Sequence, residues 1–251
     1  MKFRRAKKVI GYLSLFLILG GFIAFVEKKS QEKTFLQLEV ELEAVSGLYF
    51  VEEKEIIQIV ERDFPELELG LPVSEIPLFA IEKRLLGHPF IKAVEASLEQ
   101  KGIVKIQVQQ HEPIARIARP SKADGYITTD GLIIPTSPTY TSRVLILQDK
   151  HMDQLMDLGD LDQMPELLPL VKFITRNEFW SSQITELEIN GPSDIRLHQQ
   201  VGKQVIEFGD ALDFESKFKR IEILYQEILP RKGWNAYERI SVKFKNQIVC
   251  E

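Results

Sequence analysis

The chain has 251 residues, is 44% hydrophobic, and carries a formal net charge of −5 with one cysteine, Cys250. That length holds one large globular domain or two small ones, and the composition excludes a disordered or low-complexity chain. The acidic balance excludes the basic surface of a nucleic-acid binder, and a lone thiol excludes an internal disulfide.

The first element in chain order is "VIGYLSLFLILGGFIAFV", Val9 to Val26, a run without charge or proline. As a helix it is about 27 Å long, close to the roughly 30 Å hydrocarbon core of a bilayer. The apolar region of a secretory signal is shorter, about 7–15 residues, and ends in a small-residue cleavage pattern. This run ends instead at Glu27, Lys28 and Lys29, so the sequence predicts an uncleaved transmembrane helix over 9–26. Lys2, Arg4, Arg5, Lys7 and Lys8 precede it. The positive-inside rule makes 1–8 a cytoplasmic tail and puts the rest of the chain outside the inner membrane. Without those five basic residues, 27 Lys and Arg face 37 Asp and Glu, leaving about −10 on the remainder.

A polar linker, 27–34, leads into "LQLEVELEA", whose alternating Leu36, Leu38, Val40 and Leu42 predict a strand. Ile56, Val60 and Phe64 then recur at helical spacing behind Glu52 and Glu53, which suit the positive end of a helix dipole. After Pro65, Gly70 and Pro72, a second helix is predicted from Pro77 to Gly87 with Leu78, Ile81 and Leu85 inward. "FIKAVEASL" and "IVKIQVQQ" read as two strands joined by a turn at Gln100, Lys101 and Gly102. The order strand, helix, helix, strand, strand suffices for one layer of helices on one sheet.

A second unit begins near Pro113. Strands are predicted at Ile114 to Arg119, Tyr126 to Ile134 and Val144 to Leu147, followed by a helix from Pro165 to Arg176. "ITELEI", "DIRLHQ" and "KQVIEFG" continue as a meander. Phe214, Phe218, Ile221, Tyr225 and Ile228 define a last helix with Asp213 as its expected N-cap. "ISVKFKNQIV", Ile240 to Val249, alternates as one final strand. Its side chains Ile240, Val242 and Phe244 read as core, while Lys243 and Lys245 guard the edge against indiscriminate pairing.

The ordered phrases "HPFIKAVEASL", "VQQHEPIARI", "GYITTDGLIIP" and "ISVKFKNQIV", set behind one apolar span, resemble the FtsQ/DivIB family of bacterial division proteins. Glu112, Pro113, Ile114 and Ala115 match the phrase that closes the family's POTRA module, and Tyr126, Asp130 and Gly131 match the opening of its second domain. The resemblance implies a single transmembrane helix followed by an α+β periplasmic region. A POTRA module (βααββ) would occupy 35–112 and a strand-rich α+β domain 113–251. It further implies a non-catalytic scaffold at the division septum, binding FtsB/DivIC-like and FtsL-like single-pass proteins through its terminal strand. Carried onto this chain, the partner-binding positions are Arg239, Ile240, Ser241, Val242, Lys243, Phe244, Lys245, Asn246, Gln247 and Ile248. Phe244 matches the family's aromatic there, and Asn246 and Gln247 match positions near the partner. The chain departs from the family in a more acidic segment, 148–164, and a short tail, which argues against a large cytoplasmic binding site.

A strand with a free edge offers unpaired N–H and C=O groups to which another chain adds a strand. A second surface, from Leu85 through Pro89 and Phe90 to Val94, is a candidate for recruitment to the septum. A charged residue at Pro89 or Phe90 is expected to weaken septal localisation. The competing reading is a membrane-tethered periplasmic chaperone that holds extended chains by POTRA strand addition; it should capture many peptides weakly, whereas a scaffold captures one or two division proteins. Motifs for nucleotide binding, serine hydrolysis or zinc proteolysis are absent from the sequence. His88, His111, His151 and His198 have no metal-ligand spacing, and the acidic run Asp149 to Asp162 lacks an EF-hand pattern. No enzyme activity, cofactor or metal is expected.

Overall fold

A computed structural model describes residues 33–43, 47, 50–99, 101–119, 122–148, 156, 159, 161, 165–191 and 193–251, together with Ile18 and Gly20. The expected span Val9 to Val26 lies outside the described residues apart from those two, as does the acidic run Asp149 to Asp162 apart from Met156, Gly159 and Leu161. Among the described residues no helix is long and apolar enough to cross a membrane. The chain divides into two compact units, one of residues up to 44 with 51–110, the other of 45–50 with 111–251.

The first unit runs β1 (Gln37–Leu42), α1 (Glu53–Asp63), α2 (Leu78–Leu86), β2 (Ile91–Leu98) and β3 (Ile103–Gln110). Its sheet has the order β1-β3-β2, with β1 parallel and β2 antiparallel to β3. β3 is therefore central, and its Val104, Ile106 and Val108 are buried in alternation, as a sheet covered on one face requires. Ile56, Ile59 and Val60 of α1, with Ile81 and Leu85 of α2, bury the matching helical stripes. The turn between β2 and β3 needs glycine at 102. Gly102 has φ +82°, and a Cβ there would lie 1.9 Å from the carbonyl oxygen of Thr34. That close approach lets the Leu36 N–H donate to the Gly102 carbonyl at 2.9 Å, which fixes where β1 begins.

The second unit is built on nine strands: β4 (Pro113–Ala118), β5 (Gly125–Thr128), β6 (Ile133–Pro135), β7 (Leu145–Gln148), β8 (Ile184–Ile189), β9 (Ile195–Gln199), β10 (Val205–Gly209), β11 (Arg239–Ser241) and β12 (Val249–Cys250). They form one sheet in the order β12-β11-β10-β9-β8-β7-β4-β5-β6. β4, β7 and β8 run parallel to their neighbours in that set, as do β10 and β11, and the other pairs are antiparallel. Helices α3 (Leu167–Arg176) and α4 (Glu178–Gln183) contact β4 and β8, and α5 (Phe214–Ile223) follows β10. The core joins Leu170, Val171 and Ile174 of α3 to Leu147, Leu187, Leu197 and Ile206 of the sheet. Phe218 of α5 contacts Trp180 and Phe208, with ring centroids 4.8 and 5.2 Å apart.

Three expectations are corrected, and one helix is found that the sequence does not predict. The segment Tyr126 to Ile134 is not one strand but the hairpin β5–β6, because Gly131 at φ +87° turns the chain. Helix α4 was not anticipated; Asn177 starts it by accepting from the Trp180 N–H at 3.0 Å. Asp213 makes no side-chain cap and instead sits in the left-handed region at φ 48°. The last helix does not stay regular to Ile228: α5 gives way to a π turn, Leu224–Ile228, and then α6 (Leu229–Lys232). Pro230 has no N–H for the Gln226 carbonyl, and the wider winding accommodates that loss.

Candidate functional site

The C-terminal phrase does not run as one strand. β11 stops at Ser241, the chain turns through residues 244–246 with Asn246 at φ 59°, and β12 returns antiparallel to β11. Asparagine tolerates that left-handed conformation, which most side chains avoid. The turn is held from a distance by one side chain of α5. The Arg220 guanidinium donates to the carbonyls of Gln247 at 2.7 Å and Val242 at 3.1 Å, and also to that of Phe244. One planar donor fork thus satisfies three carbonyls that a continuous strand would have spent on a neighbour.

This folding sorts the expected partner-binding residues into three environments. Ile240 and Val242 are fully buried in the core, and Ser241 is 7% exposed. Arg239 and Lys243 pair with acids on the sheet surface: Arg239 with Glu251 and with Glu207 at 3.5 Å, Lys243 with Asp194 at 3.5 Å and Glu207 at 3.6 Å. The carboxylates of Glu251 and then Glu207 push the Arg239 pKa up and keep it charged. Phe244, expected in the core, is 56% exposed at the tip of the turn, beside exposed Lys245, Asn246 and Gln247, with Ile248 half-buried.

The sheet edge itself is β12. Arg239 and Glu251 exchange hydrogen bonds, N–H to carbonyl at 3.1 Å and 2.9 Å. Alternation along an antiparallel ladder then makes Ile240 and Cys250 the non-bonded pair, so the Cys250 N–H and C=O point away from β11. Ile240 correspondingly points its backbone toward β10, consistent with the Val242 N–H donating to the Glu207 carbonyl at 3.0 Å. Val249 and Cys250 lie just beyond the expected partner-binding positions, Arg239 to Ile248, and the signal for them is Asn246, a residue suited to turning the chain before "QIVC". Partial burial raises the Cys250 thiol pKa, which favours its protonated form.

In the first unit the candidate recruitment residues separate. Leu85 is fully buried and Phe90 is 7% exposed, so both belong to the core, while Pro89 is exposed and Val94 half-buried. The His88 ring lies against Phe90, centroids 5.6 Å apart, and its Nε2 is 3.5 Å from Glu55. Outer strand β2 has one of its outward groups taken, the Ala96 N–H donating to Glu82 of α2 at 2.8 Å.

Among the described residues no group of three or more His, Cys, Asp or Glu is placed to hold a metal. With this geometry in view, the comparisons with known families become interpretable. Residues 112–251 match the family described as FtsQ/DivIB, C-terminal related, which is more than half of the chain. The chain belongs to the FtsQ/DivIB family. Residues 36–109 match the POTRA-like domain, and the β-α-α-β-β order of the first unit is that module. No curated protein matches the sequence. FtsQ/DivIB proteins are septal division proteins of the scaffold type, so this FtsQ/DivIB chain has a role in cell division.

Proposed function

We propose that this FtsQ/DivIB chain is a non-catalytic scaffold, anchored in the inner membrane by residues 9–26 with its two outer units in the periplasm. It captures FtsB/DivIC-like and FtsL-like single-pass partners by adding their strand to β12. The observation that carries this reading is the outward-facing N–H and C=O of Cys250 at the end of a nine-stranded sheet. The exposed turn that leads into that edge adds Phe244 as one apolar anchor and Lys245 as a basic group suited to an acidic partner segment.

The test is in-cell crosslinking from photoreactive residues placed one at a time from Arg239 to Glu251, together with Cys250→Pro. Proline removes the outward N–H of an edge strand while sparing the ladder bonds to β11. The expected result is one small division partner captured with two-residue periodicity over 248–251, lost at least tenfold in Cys250→Pro, with stability changed by under about 1 kcal/mol. Capture of many unrelated envelope proteins supports the chaperone reading instead. An unaltered capture in Cys250→Pro removes β12 from the interface.

A further inference from the structure

The helical layer of the second unit carries a feature that strand addition does not use. A cleft of about 180 Å³ lies between α4, the π turn and the segment after α6, lined by Phe179, Gln183, Glu222, Tyr225, Gln226 and Trp234. Three of its walls are aromatic and inclined to one another. Tyr225 stands 6.0 Å from Phe179 at 88° and 5.7 Å from Trp234 at 55°, measured between ring centroids. Phe179 is 46% and Trp234 43% exposed, unusual for residues that each hide a large apolar area when they pack.

Tyr225 is the opposite case. It is 4% exposed, and its hydroxyl has no hydrogen-bond partner. An unmade bond at a buried hydroxyl is unfavourable, and the ring is held there by its packing against Phe179, Trp180 and Trp234. The π winding contributes to this placement. The Leu229 N–H reaches past its regular acceptor, the Tyr225 carbonyl, to the Leu224 carbonyl, and Pro230 has no N–H to give Gln226; Tyr225 and Gln226 of this widened turn both line the cleft.

The polar part of the lining has one sign. Glu222 forms no ion pair among the described residues and receives a single bond, from the Gln226 amide at 3.1 Å. The ring faces carry the negative side of the aromatic quadrupole, and no lining residue is basic. A small space with aromatic faces and a carboxylate that no cation neutralises is complementary to a compact cation bearing N–H donors.

We propose that this aromatic notch binds the guanidinium or ammonium group of an arginine or lysine side chain presented by a partner polypeptide. Glu222 supplies the charge and accepts from the N–H donors, and Phe179, Tyr225 and Trp234 supply the cation–π faces. The proposal stands on the notch alone and does not depend on strand addition at β12.

The experiment uses the full chain in detergent, labelled with fluorotryptophan. Its two tryptophans give two ¹⁹F resonances, the Trp234 line being assigned by its loss in Trp234→Phe. The probes are N-acetyl-arginine amide and its uncharged isostere N-acetyl-citrulline amide. The Trp234 line is expected to move saturably with the arginine probe and to require about tenfold more of the citrulline probe, while the line of Trp180, buried behind Phe179 and Tyr225, moves less. Glu222→Gln should weaken arginine binding about three- to tenfold. Tyr225→Phe keeps the ring face and deletes a hydroxyl closed off from the notch, so it should leave arginine binding within about twofold and the urea midpoint at or above that of the parent. Cys250→Pro should leave the titration unchanged, so failure here and failure of strand addition are told apart. An absent or non-saturating response of Trp234, equal responses to the two probes, or insensitivity to Glu222→Gln overturns the proposal.

Discussion

The two sheets of this molecule end differently. β2 bounds the three-stranded sheet along eight residues, and a carboxylate from the neighbouring helix, Glu82, takes the outward Ala96 N–H. β12 bounds the nine-stranded sheet with two residues, its outward backbone groups left open and the turn before it carrying exposed Phe244 and Lys245. A long edge is a template for unwanted pairing and invites side-chain covering, whereas a very short one is already poor bait for a chance partner. The contrast teaches that a short edge can be left open where a long one has to be covered.

The comparison breaks most severely at the base of the short edge. Ile240→Ala empties a fully buried position between β10 and β12 and is expected to cost about 2–4 kcal/mol, read from the urea midpoint, with partner capture falling alongside. A midpoint shift below about 0.5 kcal/mol would show that β11 is not docked as described. Next comes Arg220→Ala, which leaves three carbonyls of the turn without their donor. It is expected to cost about 1–2 kcal/mol and to speed amide exchange over 242–248 specifically. Uniform exchange across the unit would count against a local clamp.

The smallest effect belongs to the first unit and sharpens the contrast by acid. Arg62, and beyond it Arg84, hold the Asp63 carboxyl down to about 2. A depressed carboxylate contributes stability that is fully present above its unfolded pKa of about 3.8 and is lost as pH falls through its folded value. Asp63→Asn should therefore flatten the acid limb of the first unit between about pH 4 and 2 without changing its stability slope above pH 5. Asp63 lies at the surface, so the effect is small, and a helical signal from this unit that titrates identically in both proteins would remove the ion pair from its stability.

Much of this architecture was legible because its causes are local. Period-two alternation in "IVKIQVQQ" and helical spacing of Ile81 and Leu85 are consequences of one buried face, and each element bears its own signal. The hairpin at Asp130-Gly131 is half legible: the resemblance picks out both residues, yet the apolar run around them reads as one strand. The C-terminal phrase misleads for a different reason. Its alternation is real through Val242, and Asn246 is a local hint of the bend, but what holds the bend is a guanidinium more than twenty residues earlier in sequence, which no local pattern encodes. Phe244 accordingly kept its strand-like position in the sequence and lost its buried place in the fold. The aromatic notch was invisible on the same grounds, since Phe179 and Trp234 meet Tyr225 only through the helical layer.

The order of the strands has a consequence for synthesis. From β8 to β12 each strand lies beside the one made just before it, so this side of the sheet grows outward in step with the chain. A chain interrupted after residue 209 would present β10, with its apolar Ile206 and Phe208, as its margin in place of β12. Strand β12 thus depends on every strand from β8 onward having been made, and a product cut short on this side exposes an apolar margin that proteolytic surveillance can recognise.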